Sequence, residues 1–152
     1  MALLSESMEL VNMKPLRIAF DIGGVLSKYP EQFRTLVSYL LCSMNIEVYV
    51  ISDMHDHPKM VKMLHDNGML FPPERVYSAD YKTHGERCKT ELCEQLGIDI
   101  LLDDFVGYVA EGDFIRLLVM PNCTKPYYDD NWQTDGSEGD FGRHKYVRRV
   151  DG

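Results

Sequence analysis

The side chains that could do chemistry together in this chain are polar residues placed at the ends of short apolar runs. They are Asp21, Ser52, Asp53, Asp103 and Asp104, joined by Lys89, which comes shortly before the last of these runs. If the apolar runs are parallel strands, their carboxyl ends meet at one edge, and open parallel sheets bind ligands at that edge. We therefore expect carboxylates, a hydroxyl and an ammonium to converge on one site.

Such a set of side chains has a specific chemistry. Carboxylates brought together repel one another unless a cation lies between them. Oxygen ligands without His or Cys suit Mg²⁺, while a hydroxyl and a lysine can neutralise the remaining charge of a phosphoryl group. A carboxylate can also attack phosphorus and form an aspartyl-phosphate. Taken singly, each residue could instead cap a helix or a turn, but their joint placement favours Mg²⁺-dependent phosphoryl chemistry.

Five apolar runs predict the strands that would position these residues. They are 16–20 (LRIAF), 46–51 (IEVYVI), 75–78 (RVYS), 99–103 (DILLD) and 114–120 (FIRLLVM). Helical spacing of apolar residues predicts helices from Pro30 to Met44 with Leu36 on the apolar face, from Pro58 to Gly68, and over 85–96, which Gly97 ends. Strands separated by such helices form right-handed crossovers. The predicted fold class is α/β, a three-layer Rossmann-like arrangement with a mostly parallel sheet of about five strands.

The 152 residues have the size and composition of one soluble globular domain. We expect the α/β domain to span 1–121, with an N-terminal extension over 1–14, and an irregular tail, acidic and then basic, over 122–152. No apolar run approaches the roughly 18 residues of a membrane span, and the start lacks the regions of a signal peptide. The four cysteines form no C-x-x-C pair, so reduced thiols and a cytoplasmic location are expected.

The charge of the chain bears on its partners. Its 16 Lys and Arg against 24 Asp and Glu give a net charge of −8, which argues against general nucleic-acid binding. The stretch HKYVRR (144–149) contains Arg, Lys and Tyr, residue types that bind nucleic acids. We nevertheless favour the interpretation that this stretch is a solvated tail. The segment DMHDHP (53–58), with His55 and His57, is interpreted as a surface loop rather than a transition-metal site. No membrane partner is expected, and the oligomeric state is left open.

Four short motifs of the chain resemble those of the haloacid dehalogenase (HAD) superfamily. IAFDIGGVLS (18–27) is similar to its first motif, a strand that ends in a nucleophilic Asp followed by a Gly-containing turn. VYVIS (48–52) resembles the second motif, Lys89 falls where the third-motif lysine is expected, and ILLDD (100–104) resembles the acidic fourth motif. The order and spacing agree over roughly residues 16–120.

The resemblance implies a role for each matching residue. Asp21 would be the nucleophile and a Mg²⁺ ligand, Gly23 would offer its backbone carbonyl to the metal, and Asp103 with Asp104 would complete the metal site. Lys89 would act in catalysis and hold the phosphoryl group. The remaining expected phosphate-binding residues are Ser52, Gly24 and Asp53.

One departure from the family pattern concerns proton transfer. The family's second aspartate, a general acid and base, is replaced by Gly23. Loss of such help typically lowers a rate about 10²–10⁴-fold, although Asp53 or His55 could substitute. The intervals 26–46 and 52–89 also leave no room for a sizeable cap domain, which suits an exposed phosphate on a small or a macromolecular substrate. The sequence therefore predicts an uncapped phosphomonoesterase, weakened by Gly23, or alternatively a catalytically inactive binding or regulatory module.

Overall fold

Short strands and helices alternate along the chain in a computed structural model, which describes residues 13–104 and 115–118. The strands are β1 (Leu16–Phe20), β2 (Ile46–Ser52), β3 (Val76–Ser78), β4 (Ile100–Asp103) and β5 (Ile115–Leu118). The helices are α1 (Pro30–Leu41), α2 (His57–Asp66), α3 (Tyr81–His84) and α4 (Cys88–Leu96). A π-helical turn covers Ile22–Leu26, and 3₁₀ turns cover Pro73–Arg75 and Gly85–Arg87.

The strands form one parallel sheet in the order β3-β2-β1-β4-β5. The chain moves outward from β1 to β3 and then crosses to the other side of β1, where it forms β4. Such a reversal of direction opens a crevice at the carboxyl ends of the central strands. The predicted α/β class and parallel sheet are confirmed, and the strand order is compatible with a Rossmann-like fold.

The side chains of the sheet alternate between two hydrophobic layers. Val48 and Val50 of β2 pack in the layer that contains the buried residues of α1 and α2. Tyr49 and Ile51 of the same strand pack in the layer that contains the buried cysteines of α4. Because successive strand residues point to opposite faces, a strand covered on both sides is apolar throughout. The sheet therefore lies between two layers of helices, as the three-layer prediction requires.

Two of the predicted helix boundaries are wrong. The first helix ends at Leu41 rather than Met44, which is 96% exposed, and Leu36 on its predicted apolar face is 44% exposed. Helical periodicity gives the direction of a face but not how far the neighbouring layer extends. The segment predicted as one helix over 85–96 begins as a 3₁₀ turn, because Gly85 has φ of 60° and ψ of −142°, and α4 starts at Cys88.

Several predictions fall outside the described residues. They are those for residues 1–12 of the extension, for the tail 122–152 with HKYVRR, and for Cys123. In the described part, Cys42 is exposed, whereas Cys88 and Cys93 are buried. No helix there is both long and apolar enough to pass through a membrane.

The end of α4 depends on a glycine. Gly97 has φ of 63° and ψ of 38°, a left-handed conformation, and its N–H donates to Glu94 O at 3.3 Å. We expect Gly97→Ala to lower the free energy of unfolding by about 1–2 kcal/mol, because a side chain is strained at this φ. The new Cβ would also lie 3.4 Å from Nη1 of Arg17. Denaturant titration measures the loss. Gly97→Asn should lower the free energy of unfolding by less than Gly97→Ala does. An unchanged free energy of unfolding in Gly97→Ala would contradict the prediction.

Candidate active site

The first element of the site is the turn that follows β1. The backbone N–H of Asp21 donates to Leu102 O at 2.9 Å, which ties the end of β1 to β4. The Asp21 carboxylate accepts from the N–H of Ile22 at 2.9 Å. Within the turn, Gly24 has φ of 72°, a value that favours glycine, whereas Gly23 has φ of −68° and ψ of 127°, which any residue can adopt. The turn is buried, so Asp21 is held in one position.

Ser27 closes this turn. Its hydroxyl accepts from the N–H of Gly24 at 3.1 Å, and its own N–H donates to Ile22 O at 2.9 Å. Ser27 is fully buried although it is polar. Gly24 is among the residues expected from the sequence to bind phosphate, and its N–H is bonded within the turn. Ser27 is not among the site residues predicted from the sequence, because a hydroxyl directly after an apolar turn is its only signal.

The second element is the carboxyl end of β2. Ser52 is fully buried there, and its hydroxyl accepts a 3.4 Å hydrogen bond from the N–H of Met54. The neighbouring strand fixes this loop, because Ser78 is paired with Ser52 in register and its hydroxyl donates to Met54 O. Asp53, which follows Ser52 in the chain, is half-buried. Ser52 and Asp53 therefore lie at the predicted edge of the sheet.

The centre of the site is formed by Lys89 and three aspartates. Lys89, in the first turn of α4, is 1% exposed. Its Nζ lies 2.6 Å from Oδ2 of Asp103 and 3.1 Å from Oδ1 of Asp21. Asp21, Asp103 and Asp104 are all buried, and one carboxylate oxygen of each lies within 4.8 Å of the others. We call these three residues the carboxylate cluster.

The electrostatics of the carboxylate cluster follow from its burial. Burial raises the pKa of Asp21 well above its ordinary value; Lys89 lowers that pKa, and the carboxylates of Asp103, Asp104 and Asp53 raise it. Burial alone would lower the pKa of Lys89, but the carboxylates of Asp103, Asp21 and Asp53 outweigh it, so the pKa is raised and the ammonium stays charged. The Lys89 ammonium therefore contacts two of three neighbouring buried carboxylates, an arrangement that a bound cation would stabilise further.

The donor set fits Mg²⁺. The three groups offer carboxylate oxygens only, with no His or Cys among them, and their mutual spacing allows one ion to contact all three. Mg²⁺ commonly uses few protein carboxylates and fills its other positions with water or phosphate oxygens. Asp21, Asp103 and Asp104 are thus the residues that would hold it.

The Lys89 ammonium should be important for stability. We expect Lys89→Met, assayed with chelator, to lower the free energy of unfolding by about 3–5 kcal/mol, because two buried carboxylates lose the ammonium that contacts them. Lys62→Met is the matched control: Lys62 pairs with Asp66 on the exposed face of α2, so its loss should change stability by less than about 1 kcal/mol. Denaturant titration of both variants measures the difference. Equal small losses would mean that the buried contacts of Lys89 contribute little.

The other residues considered from the sequence lie at the rim. His55 and His57 are exposed, Asp56 caps α2 by accepting from the N–H of Lys59 at 3.1 Å, and His57 Nε2 contacts Pro73 O at 2.9 Å. The surface-loop interpretation of 53–58 therefore holds only in part: residues 55–58 are exposed, but Met54 is buried and α2 already begins at His57.

The structure brings the sequence-predicted residues together at one edge of the sheet. Asp21, Lys89, Asp103 and Asp104 form one buried group, and Ser52 lies at the end of the strand next to β1. Asp53 lies close enough for its charge to act on Asp21 and Lys89. Comparisons of the chain with protein-family models, with curated proteins and with solved structures found no match.

Proposed function

We propose that this chain is a Mg²⁺-dependent phosphohydrolase of the HAD type, which hydrolyses phosphate monoesters through a covalent aspartyl-phosphate on Asp21. The observation that carries the proposal is the carboxylate cluster itself, whose oxygens lie within 4.8 Å of one another beside the buried ammonium of Lys89. Clustered buried carboxylates with one lysine are costly for a fold to maintain. Their placement at the carboxyl ends of parallel strands supports a functional role.

In the proposed reaction Asp21 is the nucleophile. Its Oδ1 is held by the N–H of Ile22 and by Lys89, so its other oxygen attacks phosphorus. An O–P bond forms to Asp21 while the ester P–O bond breaks, and the electron pair leaves with the alcohol oxygen, which takes a proton from water and leaves hydroxide. A second water then attacks phosphorus and gives up a proton that neutralises this hydroxide, while the bond to Asp21 breaks and inorganic phosphate is released. Asp21 is restored with its carboxylate intact.

The surrounding residues orient the phosphoryl group. Ser52 and Lys89 supply a hydroxyl and an ammonium at the edge where the phosphoryl oxygens would lie, and Asp53 lies at the rim of this space. Mg²⁺, when bound by Asp21, Asp103 and Asp104, supplies neutralisation of the phosphoryl charge. The carbonyl of Gly23 is a further oxygen in the same turn. Fixed charges of this kind act strongly in a buried site because they need no reorganisation.

The elements that flank the site indicate the substrate class. Between β1 and β2 the chain holds the π-helical turn and α1, and between β2 and α4 it holds α2, β3, α3 and two 3₁₀ turns. In these two fully described intervals no separate domain is inserted over the strand ends. A site without a domain inserted in these two intervals suits a phosphate that projects from its carrier, either on an exposed end of a macromolecule or on a small molecule.

A second candidate function rests on Gly23. This residue has no proton to give to a leaving alcohol, so the alternative is a domain that binds Mg²⁺ or a phosphorylated partner without turnover. The two candidates differ in one measurable outcome. Phosphate release is expected from the first, whereas the second gives Mg²⁺ binding with no release.

The test is phosphate release from a panel of aryl, sugar, nucleotide and peptide phosphates, with Mg²⁺ and with chelator. Metal-dependent release from any member supports the phosphohydrolase. A Mg²⁺-dependent rise in melting temperature with no release from the whole panel supports the binding module. Release that is unaffected by chelator would overturn the role of the carboxylate cluster.

A further inference from the structure

A small cleft opens beside the candidate active site. It has a volume of about 80 Å³, more than one water molecule needs. Its lining comes from the end of β3, from the residues that begin and end α3, and from one face of α4. These residues are Ser78, Asp80, His84, Cys88, Glu91, Leu92 and Gln95. Because they come from three elements, no local stretch of sequence reveals the cleft.

The cleft adjoins Ser52 and Lys89, which are proposed to bind the phosphoryl group. Ser78, in its wall, is the register partner of Ser52, and adjacent strands lie about 4.8 Å apart. Cys88, another residue of its lining, directly precedes Lys89. From Cys88 the cleft follows α4 to Gln95, a rise of about 10 Å at 1.5 Å per residue. The cleft thus begins next to the phosphoryl position and extends away from it, as a pocket for a leaving group would.

The walls of the cleft carry net negative charge. Asp80 is fixed as the cap of α3, since its carboxylate accepts from the hydroxyl of Thr83 and from the Thr83 N–H at 3.2 Å. These two hydrogen bonds lower its pKa. Glu91 lies 2.5 Å from Nδ1 of His84. With two carboxylates and one imidazole in the lining, the charge is negative whether His84 is protonated or neutral. An anionic group would therefore be repelled and a cationic one attracted.

The floor of the cleft is less polar. Leu92 is half-buried and Cys88 is buried, and burial raises the pKa of the Cys88 thiol, which keeps it neutral. An apolar floor with acidic walls matches an alkyl chain that ends in a cation, because such a chain can pack its methylene groups and leave its charge at the polar side.

We propose that this cleft selects phosphate esters whose alcohol part carries an alkylammonium or guanidinium group close to the phosphate. The inference rests on the proposed phosphohydrolase and names its substrate class. Two sources offer the same chemistry: a phosphorylated side chain next to a lysine or arginine in a peptide, and a free aminoalkyl phosphate. The cleft contributes to binding and does not take part in the bond-making steps.

The test uses matched substrates. One pair is two phosphoserine peptides that differ only by lysine or norleucine beside the phosphoserine; the other pair is phosphoethanolamine and ethyl phosphate. We expect kcat/KM to favour the cationic member about three- to ten-fold, since an exposed ion pair contributes about 1.4- to 5-fold and two acids are present. The ratio should fall in high salt, which screens exposed charges. A preference confined to the peptides identifies the peptide source, and a preference confined to phosphoethanolamine identifies the free ester.

Variants of the cleft complete the test. The double change Asp80→Asn and Glu91→Gln should bring the ratio close to one, and Asn retains the capping function of Asp80. Glu31→Gln, on the exposed first turn of α1, is the matched control and should keep the wild-type ratio. Equal kcat/KM for both members of each pair in the wild type would overturn the proposal, as would a preference that survives the double change.

A binding measurement separates this inference from the proposed function. In Asp21→Asn, calorimetry gives the dissociation constants of the lysine and norleucine peptides without turnover. A preference for the lysine peptide that disappears in the double variant supports the cleft even if the wild type releases no phosphate. Equal dissociation constants contradict the cleft, whatever the wild type hydrolyses.

Discussion

Replacing Asp21 by asparagine is expected to abolish Mg²⁺-dependent phosphate release, with a loss of at least about a thousand-fold in kcat. Asparagine has nearly the same shape, so its carbonyl can still accept from the N–H of Ile22. It has no negative charge and cannot form the acyl phosphate on which the proposed reaction depends. Phosphate release under saturating Mg²⁺, with wild type and variant side by side, measures the effect.

The fold of Asp21→Asn should survive the change. Burial already makes the charged form of Asp21 unfavourable, and this raises its pKa. A neutral amide at this position removes part of the repulsion from Asp103 and Asp104. Asp66→Asn, an exposed aspartate that pairs with Lys62 on α2, is the matched control and should retain wild-type release. Wild-type release by Asp21→Asn would remove the covalent mechanism and return the carboxylate cluster to a purely structural role.

The sequence predicts the location of this site because strand ends are simple to find. An apolar run shows where a strand lies, and the next polar residue must then fall at the sheet edge. Asp21, Ser52 and Asp103 follow from this argument alone, since β1, β2 and β4 are neighbours in the sheet. The position of Lys89 does not follow from strand ends, because this residue lies in a helix. Its Nζ reaches two carboxylates only because α4 buries the lysine, and burial depends on the packing of the whole layer.

What the sequence does not predict depends on contacts between distant segments or on where a layer ends. Ser27 and Ser78 orient the two loops of the site through hydrogen bonds with Gly24 and Met54, and isolated serines carry no pattern. Leu36 is exposed because the layer of helices does not cover that part of α1. Hydrophobic periodicity therefore predicts the helices and strands and the edge of the sheet at which the site lies. The hydrogen-bond partners of individual side chains depend on tertiary packing.

Placing a proton donor at position 23 is expected to raise activity. Gly23→Asp should increase kcat/KM about 10²–10⁴-fold on alkyl phosphates, because a carboxylic acid two residues after Asp21 can protonate the leaving oxygen. The backbone permits the change, since Gly23 has φ of −68° and ψ of 127°. The neighbouring Gly24, with φ of 72°, would be strained by any side chain. Phosphate release from alkyl and aryl phosphates measures the effect.

The comparison between leaving groups makes this prediction specific. Aryloxide anions are stable enough to leave without a proton. Gly23→Asp should therefore raise kcat/KM for alkyl phosphates much more than for aryl phosphates. Gly23→Asn, of nearly equal size but without an acidic proton, should give no such gain. If both variants behave alike while their melting temperatures match the wild type, proton transfer does not limit the reaction. Strong activity of the wild type on alkyl phosphates would instead require another donor at the rim, and Asp53, whose charge already acts on Asp21, is the carboxylate placed to provide it.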